Sequence, residues 1–178
     1  MAKVLWHVTM SLDGFIAGPG DDMTWMGDFV GPNPAVDDLL PRIGAVLAGR
    51  RTYRPDKLAE TKAYGGRWTG PQFVLTHDTP ETAAPGFTFV GGDIKDALAM
   101  AMAKATAGDK YVAILSASTA RQCLDAGVVD EMLVHITPVL LGDGVRLFNQ
   151  PGGTKVKFER ISCTHGAKVT NLWLRAVR

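Results

Sequence analysis

Cysteine is scarce. Cys123 and Cys163 are the two present in 178 residues, too few for a disulfide scaffold and without the spacing of a metal knuckle. They read as buried free thiols in a reducing compartment. No apolar run reaches the roughly 20 residues that a membrane span needs, and the opening MAKVLWHVTMSLDGFIAG carries Asp13 where a secretory signal would stay apolar. It reads as a strand and a loop, so a cytoplasmic protein without membrane contact is expected. Charge of one sign is also missing, since nineteen Lys and Arg meet eighteen Asp and Glu for a formal charge of +1. Binders of nucleic acid need a basic surplus on one face, and no nucleic-acid partner is expected. There is no Walker sequence, nucleophile elbow, GxGxxG fingerprint or internal repeat. His7, His135 and His165 share no ligand spacing with Asp, Glu or Cys, so no metal is expected.

What is there is apolar and evenly spread. An apolar fraction of 46% suits one domain over 1–178, burying roughly 70% of the surface its extended chain would expose. Short strands are expected at Val4–Thr9, Phe15–Ala17, Ala45–Ala48, Gln72–Thr76, Phe87–Val90, Tyr111–Leu115, Met132–Val139 and Val145–Phe148, with a final pair at Val156–Ile161 and Lys168–Val177. A helix is plausible from Ala35 to Leu40, limited by Pro41. The clearest one runs over 94–107. Ile94, Ala97, Leu98, Ala101, Met102 and Ala105 share a face, Asp93 suits the cap and Gly108 the stop. A further helix spans Thr119 to about Ala126, capped by Ser118 and ended by Gly127. The order is α/β followed by strands, which points to a mixed sheet with helices on both faces.

Three junctions join small and polar residues, and in an open α/β sheet the carboxyl ends of the strands form the usual crevice. Gly49-Arg50-Arg51-Thr52 offers amides, guanidinium groups and a hydroxyl to a phosphate; its plain alternative is a solvated turn. Leu75-Thr76-His77 ends a strand with a hydroxyl and an imidazole, or is an ordinary turn beside Asp78. Ser116-Ala117-Ser118-Thr119-Ala120-Arg121 leads from the central strand into a helix start, where helix amides favour an anion. Asp13 either lines the crevice or closes an Asx-turn through Gly14. Asp130-Glu131, with no cation nearby in sequence, reads as a solvated edge in preference to a catalytic acid. Gly91-Gly92-Asp93 reads first as the cap of the 94–107 helix.

Ser11-Leu12-Asp13-Gly14-Phe15-Ile16-Ala17, Gly49-Arg50-Arg51-Thr52-Tyr53, Val74-Leu75-Thr76 and the run from Gln122 through Glu131 to Thr137-Pro138-Val139-Leu140-Leu141-Gly142-Asp143-Gly144-Val145-Arg146-Leu147-Phe148 occur in a telling order. Together, from Val4 to about Leu174, they resemble the dihydrofolate-reductase-like family. The resemblance is to the bacterial group related to the reductase domain of the bifunctional riboflavin-biosynthesis deaminase/reductase. It implies an α/β three-layer fold with a central mixed, mostly parallel sheet, flanking helices and a C-terminal antiparallel pair, and it implies bound NADPH. Gly49, Arg50, Arg51 and Thr52 would hold the adenosine phosphate and pyrophosphate. Leu75, Thr76 and His77 would lie by the ribose 2′-phosphate, and Ser118, Thr119, Ala120 and Arg121 at the pyrophosphate-binding helix start. Relatives typically carry Gly-Gly where this chain has Ser116-Ala117, and each added side chain takes space there.

The resemblance further implies hydride transfer to a C=N or C=O group of a small heterocyclic or sugar-linked substrate, with the ribosylaminopyrimidine of riboflavin synthesis the first candidate. Asp13 would orient the substrate or relay a proton, Trp25 would cover the pocket, and Asp28 is the alternative acid. The zinc-deaminase pair HxE and CxxC is missing, so only the reductase half is expected. The competing readings are a non-catalytic nucleotide- or small-ligand-binding homodimer and a structural dimer. Relatives are commonly dimeric, and Val139–Leu141 with the C-terminal strands could supply the surface.

Overall fold

The computed structural model describes residues 2–54, 62–78, 83–105, 110–149, 152–153 and 155–178. The chain divides into two compact units, Met1–Trp6 with Leu39–Asp130 and His7–Asp38 with Glu131–Arg178.

In the first unit, strands β3 (Ile43–Gly49), β4 (Gln72–Leu75), β5 (Phe87–Val90) and β6 (Tyr111–Ile114) join the first residues of β1 (Lys3–Ser11). They lie in the order β5-β4-β3-β6-β1, and every pairing is parallel. Parallel strands are covered on both faces, so their sequences run apolar without alternation. Residues Tyr111–Ile114 and Ala45–Ala48 are accordingly buried at every position. Helix α2 (Ile94–Ala105) packs on β3, β4 and β6, and α3 (Ala117–Asp125) packs on β3 and on α2.

Helix α2 begins as expected, with Asp93 Oδ1 accepting the amides of Lys95 and Asp96 at 2.6 and 3.1 Å. Its apolar face is buried at Ile94, Ala97, Leu98, Ala101 and Ala105. Residues 106–107 and the stop at Gly108 lie outside the described residues. The cap of α3 differs from expectation by two positions. Ser116 holds it, its hydroxyl accepting the Thr119 amide at 3.2 Å, because only the first residue outside the helix combines extended backbone with reach to the third amide. Gly127 follows at φ +68°, a left-handed stop.

In the second unit, the end of β1 (from His7) lies beside β7 (Glu131–Thr137), followed by β10 (Thr170–Ala176) and β9 (Phe158–His165). The β7–β10 and β10–β9 pairings are antiparallel, which is the expected C-terminal strand pair. Strands β2 (Phe15–Ala17) and β8 (Val145–Arg146) form a separate antiparallel pair. Gly144 sits against it at φ +128°, where a Cβ would come within 2.1 Å of the Ala17 carbonyl oxygen. Helix α1 (Pro34–Leu39) is short, and a 3-10 turn over Leu40–Arg42 takes up Pro41. Glu131 corrects the expected solvated edge. It is 3% exposed, and its Oε2 accepts the Trp173 indole N–H at 2.9 Å. Asp130 likewise accepts the Val4 amide at 2.8 Å.

Gly44 meets the end of α2 so closely that a Cβ would lie 2.7 Å from the Ala105 Cα. Gly44→Ala is expected to destabilise the fold by about 1–3 kcal/mol through overpacking. Gly27→Ala, with nothing within 4 Å, should stay within about 0.5 kcal/mol. Urea denaturation of the two variants checks this; equal midpoints would refute the packing argument.

Candidate active site

The parallel order of the first unit places three strand ends side by side. Gly49 pairs with Leu75, and the Leu115 amide donates to the Leu47 carbonyl at 3.2 Å, so Gly49, Leu75-Thr76 and Ser116 share one carboxyl edge. A Cβ at Gly49 would lie 3.0 Å from Ser116 Oγ, 3.2 Å from Thr119 Oγ1 and 3.5 Å from Ser118 Oγ. The φ of Gly49 is −89°, so this glycine serves close approach rather than a left-handed turn. It leaves room for Ser116, whose hydroxyl donates to Thr119 Oγ1 at 2.8 Å while capping α3.

The groups gathered there differ in availability. Arg50, Arg51, Ser118 and Arg121 are exposed, and Thr52 and Ala117 are half-buried. Arg50 is steadied by its own turn, donating from Nη1 to the Tyr53 carbonyl at 3.0 Å. His77 is exposed beside Thr76. The Thr76 hydroxyl is buried and committed to a local turn, donating to the Asp78 carbonyl at 2.9 Å. Thr119 and Ala120 are buried, and the Ala120 amide serves the helix by donating to the Ser116 carbonyl. Apart from His77, the exposed polar side chains of this edge therefore lie on the 3-10 turn Arg50–Thr52 and on the outward face of the first turn of α3.

Asp13, Trp25 and Asp28 belong to the second unit. Asp13 does not close an Asx-turn. Its Oδ1 accepts the Ser11 hydroxyl at 2.6 Å and the Leu141 amide at 3.1 Å, and its Oδ2 accepts the Gly142 amide at 2.8 Å. The Ser11 hydroxyl foremost, with these amides, lowers its pKa to about 2. Trp25 lies half-buried in the 3-10 turn Thr24–Phe29, its ring centroid 6.3 Å from that of Phe29. Its indole nitrogen is buried without a hydrogen-bond partner among the described residues. The Asp28 side chain is exposed, and its carbonyl accepts Lys168 Nζ at 2.7 Å.

A polar cluster in the second unit was not expected. His7 Nε2 lies 2.6 Å from His135 Nε2, and His135 Nδ1 lies 2.6 Å from Asn171 Oδ1. All three residues are buried. The amide oxygen of Asn171 requires N–H on His135 Nδ1, which leaves His135 Nε2 to accept from His7 Nε2–H. Asn171 Nδ2 donates to Thr164 Oγ1 at 3.2 Å and to Asn33 Oδ1 at 2.9 Å, and Asn33 Nδ2 returns a bond to Asn171 Oδ1 at 3.0 Å. The sequence signal is an imidazole inside each apolar strand, Leu5-Trp6-His7-Val8 and Leu133-Val134-His135-Ile136. A buried polar group there demands a partner.

Burial lowers the pKa of both imidazoles, with the neighbouring His135 adding to the effect on His7. Below the ordinary value of 6.5 the unfolded chain therefore takes up protons that the folded chain refuses. Stability is full above that pH and declines as pH falls, by up to about 1.4 kcal/mol per pH unit for each histidine. Urea midpoints at pH 7.5 and 5.5 test this, and His7→Gln should flatten the dependence. At the other site, Ser116→Ala should cost about 1 kcal/mol and Ser116→Gly a few tenths. Equal losses would mean that Ser116 does not cap α3.

Comparison with known proteins gives this arrangement a family. The family model described as RibD C-terminal domain matches residues 2–172. The uncharacterized protein YwjB of Bacillus subtilis (strain 168) is 24% identical over 150 residues, 83% of each chain. A crystal structure of a protein assigned to riboflavin biosynthesis in Shewanella sp. PV-4 superposes with a TM-score of 0.81 at 25% identity, covering 100% of both chains. The riboflavin biosynthesis reductase of Saccharomyces cerevisiae shares the fold at a TM-score of 0.63 and 14% identity, over 99% of this chain and 89% of that one. The chain belongs to the RibD C-terminal domain family, and its mixed, mostly parallel sheet with flanking helices and a terminal antiparallel pair is the dihydrofolate-reductase-like fold.

Proposed function

We propose that the protein is an NADPH-dependent reductase of a small heterocyclic or sugar-linked substrate, with a ribosylaminopyrimidine of the riboflavin route as the first candidate. The observation that carries this is the carboxyl edge of β3, β4 and β6. There the bare Gly49 and the capped start of α3 meet the exposed side chains of Arg50, Arg51, Ser118 and Arg121. A helix start of this kind favours phosphate through its amides and partial positive charge, and guanidinium groups bind phosphate in a fork. The donor set suits a cofactor rich in phosphate. Family membership and the likeness to the Shewanella protein support the same reading.

Ser116-Ala117 in place of Gly-Gly is compatible with it. The Ser116 hydroxyl points at the space that Gly49 leaves and is occupied in capping, so both substituents stay small. Gly49, Thr52, Leu75 and Ala117 would shape the walls of the cofactor site. Thr76, Thr119 and Ala120 would hold the backbone in place, and Arg50, Arg51, His77 and Arg121 would meet the phosphates.

When bound, NADPH supplies a hydride to the carbon of a C=N or C=O group. Trp25 would cover the substrate, and Asp28, with its exposed carboxylate, is the alternative proton source to water. Asp13, ionised and bonded to the 141–142 amides, would orient that loop toward the substrate. Self-association as a homodimer would use the exposed Leu140 and Ile161. The competing reading, a binding protein without turnover, draws on the same Asp13, since its oxygens are already committed.

Calorimetric titration with NADPH and, in parallel, NADH tests the proposal. The protein should bind NADPH, and Arg50→Ala or Arg51→Ala should weaken it about tenfold, the scale of one charge-assisted hydrogen bond, while NADH affinity moves far less. Folded protein that binds neither nucleotide would overturn the reading. NADPH binding without oxidation across a panel of pyrimidine and sugar-linked substrates would favour the binding protein.

A further inference from the structure

The segment that carries Trp25 and Asp28 has little of its own to hold it. The turn Thr24–Phe29 contains no buried residue, and its internal bonds are local, from the Met26 amide to the Met23 carbonyl at 3.2 Å and from the Val30 amide to the Gly27 carbonyl at 3.4 Å. Trp25, Met26 and Phe29 are only half-buried, although the Trp25 indole nitrogen itself is covered, so anchors outside the turn share in fixing its place. Two come from the β9–β10 turn, where Lys168 Nζ donates to the Asp28 carbonyl at 2.7 Å and the Ala167 amide to the Pro32 carbonyl at 3.0 Å.

The third anchor is Asn33, which ends the segment. Its amide forms a reciprocal pair with that of Asn171, which His135 and Thr164 hold in turn. Gly166 packs on it so tightly that a Cβ there would lie 3.0 Å from Asn33 Cγ. Unlike the turn contacts, this anchor is rooted in buried side chains of β7 and β10. The pairing is specific to a primary amide, because it needs a donor and an acceptor side by side.

We propose that Asn33 is a positioning residue, setting Trp25 and Asp28 in place through its paired amide with Asn171 and the His135 beneath it. The inference rests on the reading of Trp25 and Asp28 as substrate-side groups, but the anchoring itself is testable without cofactor or substrate. Asn33 has one other task, since its Oδ1 also accepts the Ala35 amide at 3.2 Å at the start of α1. Serine can perform that capping but cannot replace the amide pair.

The experiment is nitrogen-15 NMR and amide exchange on the ligand-free full chain, comparing wild type with Asn33→Ala and Asn33→Ser. Both variants should shift the Trp25 indole resonance and speed exchange at Met26 and Val30 about tenfold, on the scale of one lost buried hydrogen bond. Amides of β6 should keep their wild-type protection. A serine variant matching wild type at Trp25, Met26 and Val30 would show that Asn33 only caps α1, and the proposal would fall. Equal loss of protection in β6 would mean general destabilisation and would also overturn it. Should the variants behave as expected in a protein that binds no nicotinamide cofactor, Asn33 keeps its anchoring role and the reductase reading alone fails.

Discussion

At Gly49 a side chain would push a carbon to 3.0 Å from Ser116 Oγ and 3.2 Å from Thr119 Oγ1. The bare Cα there lets β3 and the end of β6 approach closely, and the start of α3 depends on the space. Ser116 turns its hydroxyl inward, caps Thr119 and starts the helix at Ala117. Because the strands are parallel, their carboxyl ends and the loops that follow fall on one edge. The exposed arginines after β3 and within the first turn of α3 thereby gather near a helix start instead of being spread over the surface. One missing methyl group thus links sheet packing to the electrostatics of the candidate cofactor site.

The second unit handles polarity in two contrasting ways. In its sheet, His7, His135 and Asn171 are buried, and burial keeps the imidazoles neutral. A neutral, hydrogen-bonded cluster avoids the large desolvation cost of a buried charge. At its surface, Asp13 stays ionised because hydroxyl and amide donors surround a solvated carboxylate. Glu131 is also deeply buried, and its Oε2 accepts the Trp173 indole N–H.

Hydrophobic runs and turn residues made most of the fold legible. Every expected strand exists, and Asp93 caps α2 where the periodicity places it. The cap of α3 was misplaced because Ser116 and Ser118 are equally good capping residues in isolation. Only the extended backbone at Ser116 distinguishes them. Of the candidate site, the glycine and arginines of the β3 junction stand out in the sequence as a small-and-basic turn. The buried state of Thr76, Thr119 and Ala120 could not, because it depends on side-chain direction at strand and helix ends. The His7–His135–Asn171–Asn33 cluster was hidden for another reason. Its members are separated by up to 164 positions in sequence and share no spacing; sheet order alone brings β1, β7 and β10 together. Asp130-Glu131 misled in the same way, since the Trp173 indole comes from a distant strand.

The state of Asp13 bears on how the proposed reduction would be completed. With a pKa of about 2, roughly one carboxyl in 10⁵ carries a proton at pH 7. A donor so rarely loaded is poorly matched to general acid catalysis near neutrality. Releasing its partners would raise that fraction, but it would also free the Leu141 and Gly142 amides that the carboxylate holds. Orientation and proton delivery therefore compete at Asp13, and the geometry favours orientation. Under the proposed reaction, the proton that follows the hydride is better supplied by water. Asp13 then sets the 141–142 loop, while Asn33 sets the segment that brings Asp28 and Trp25.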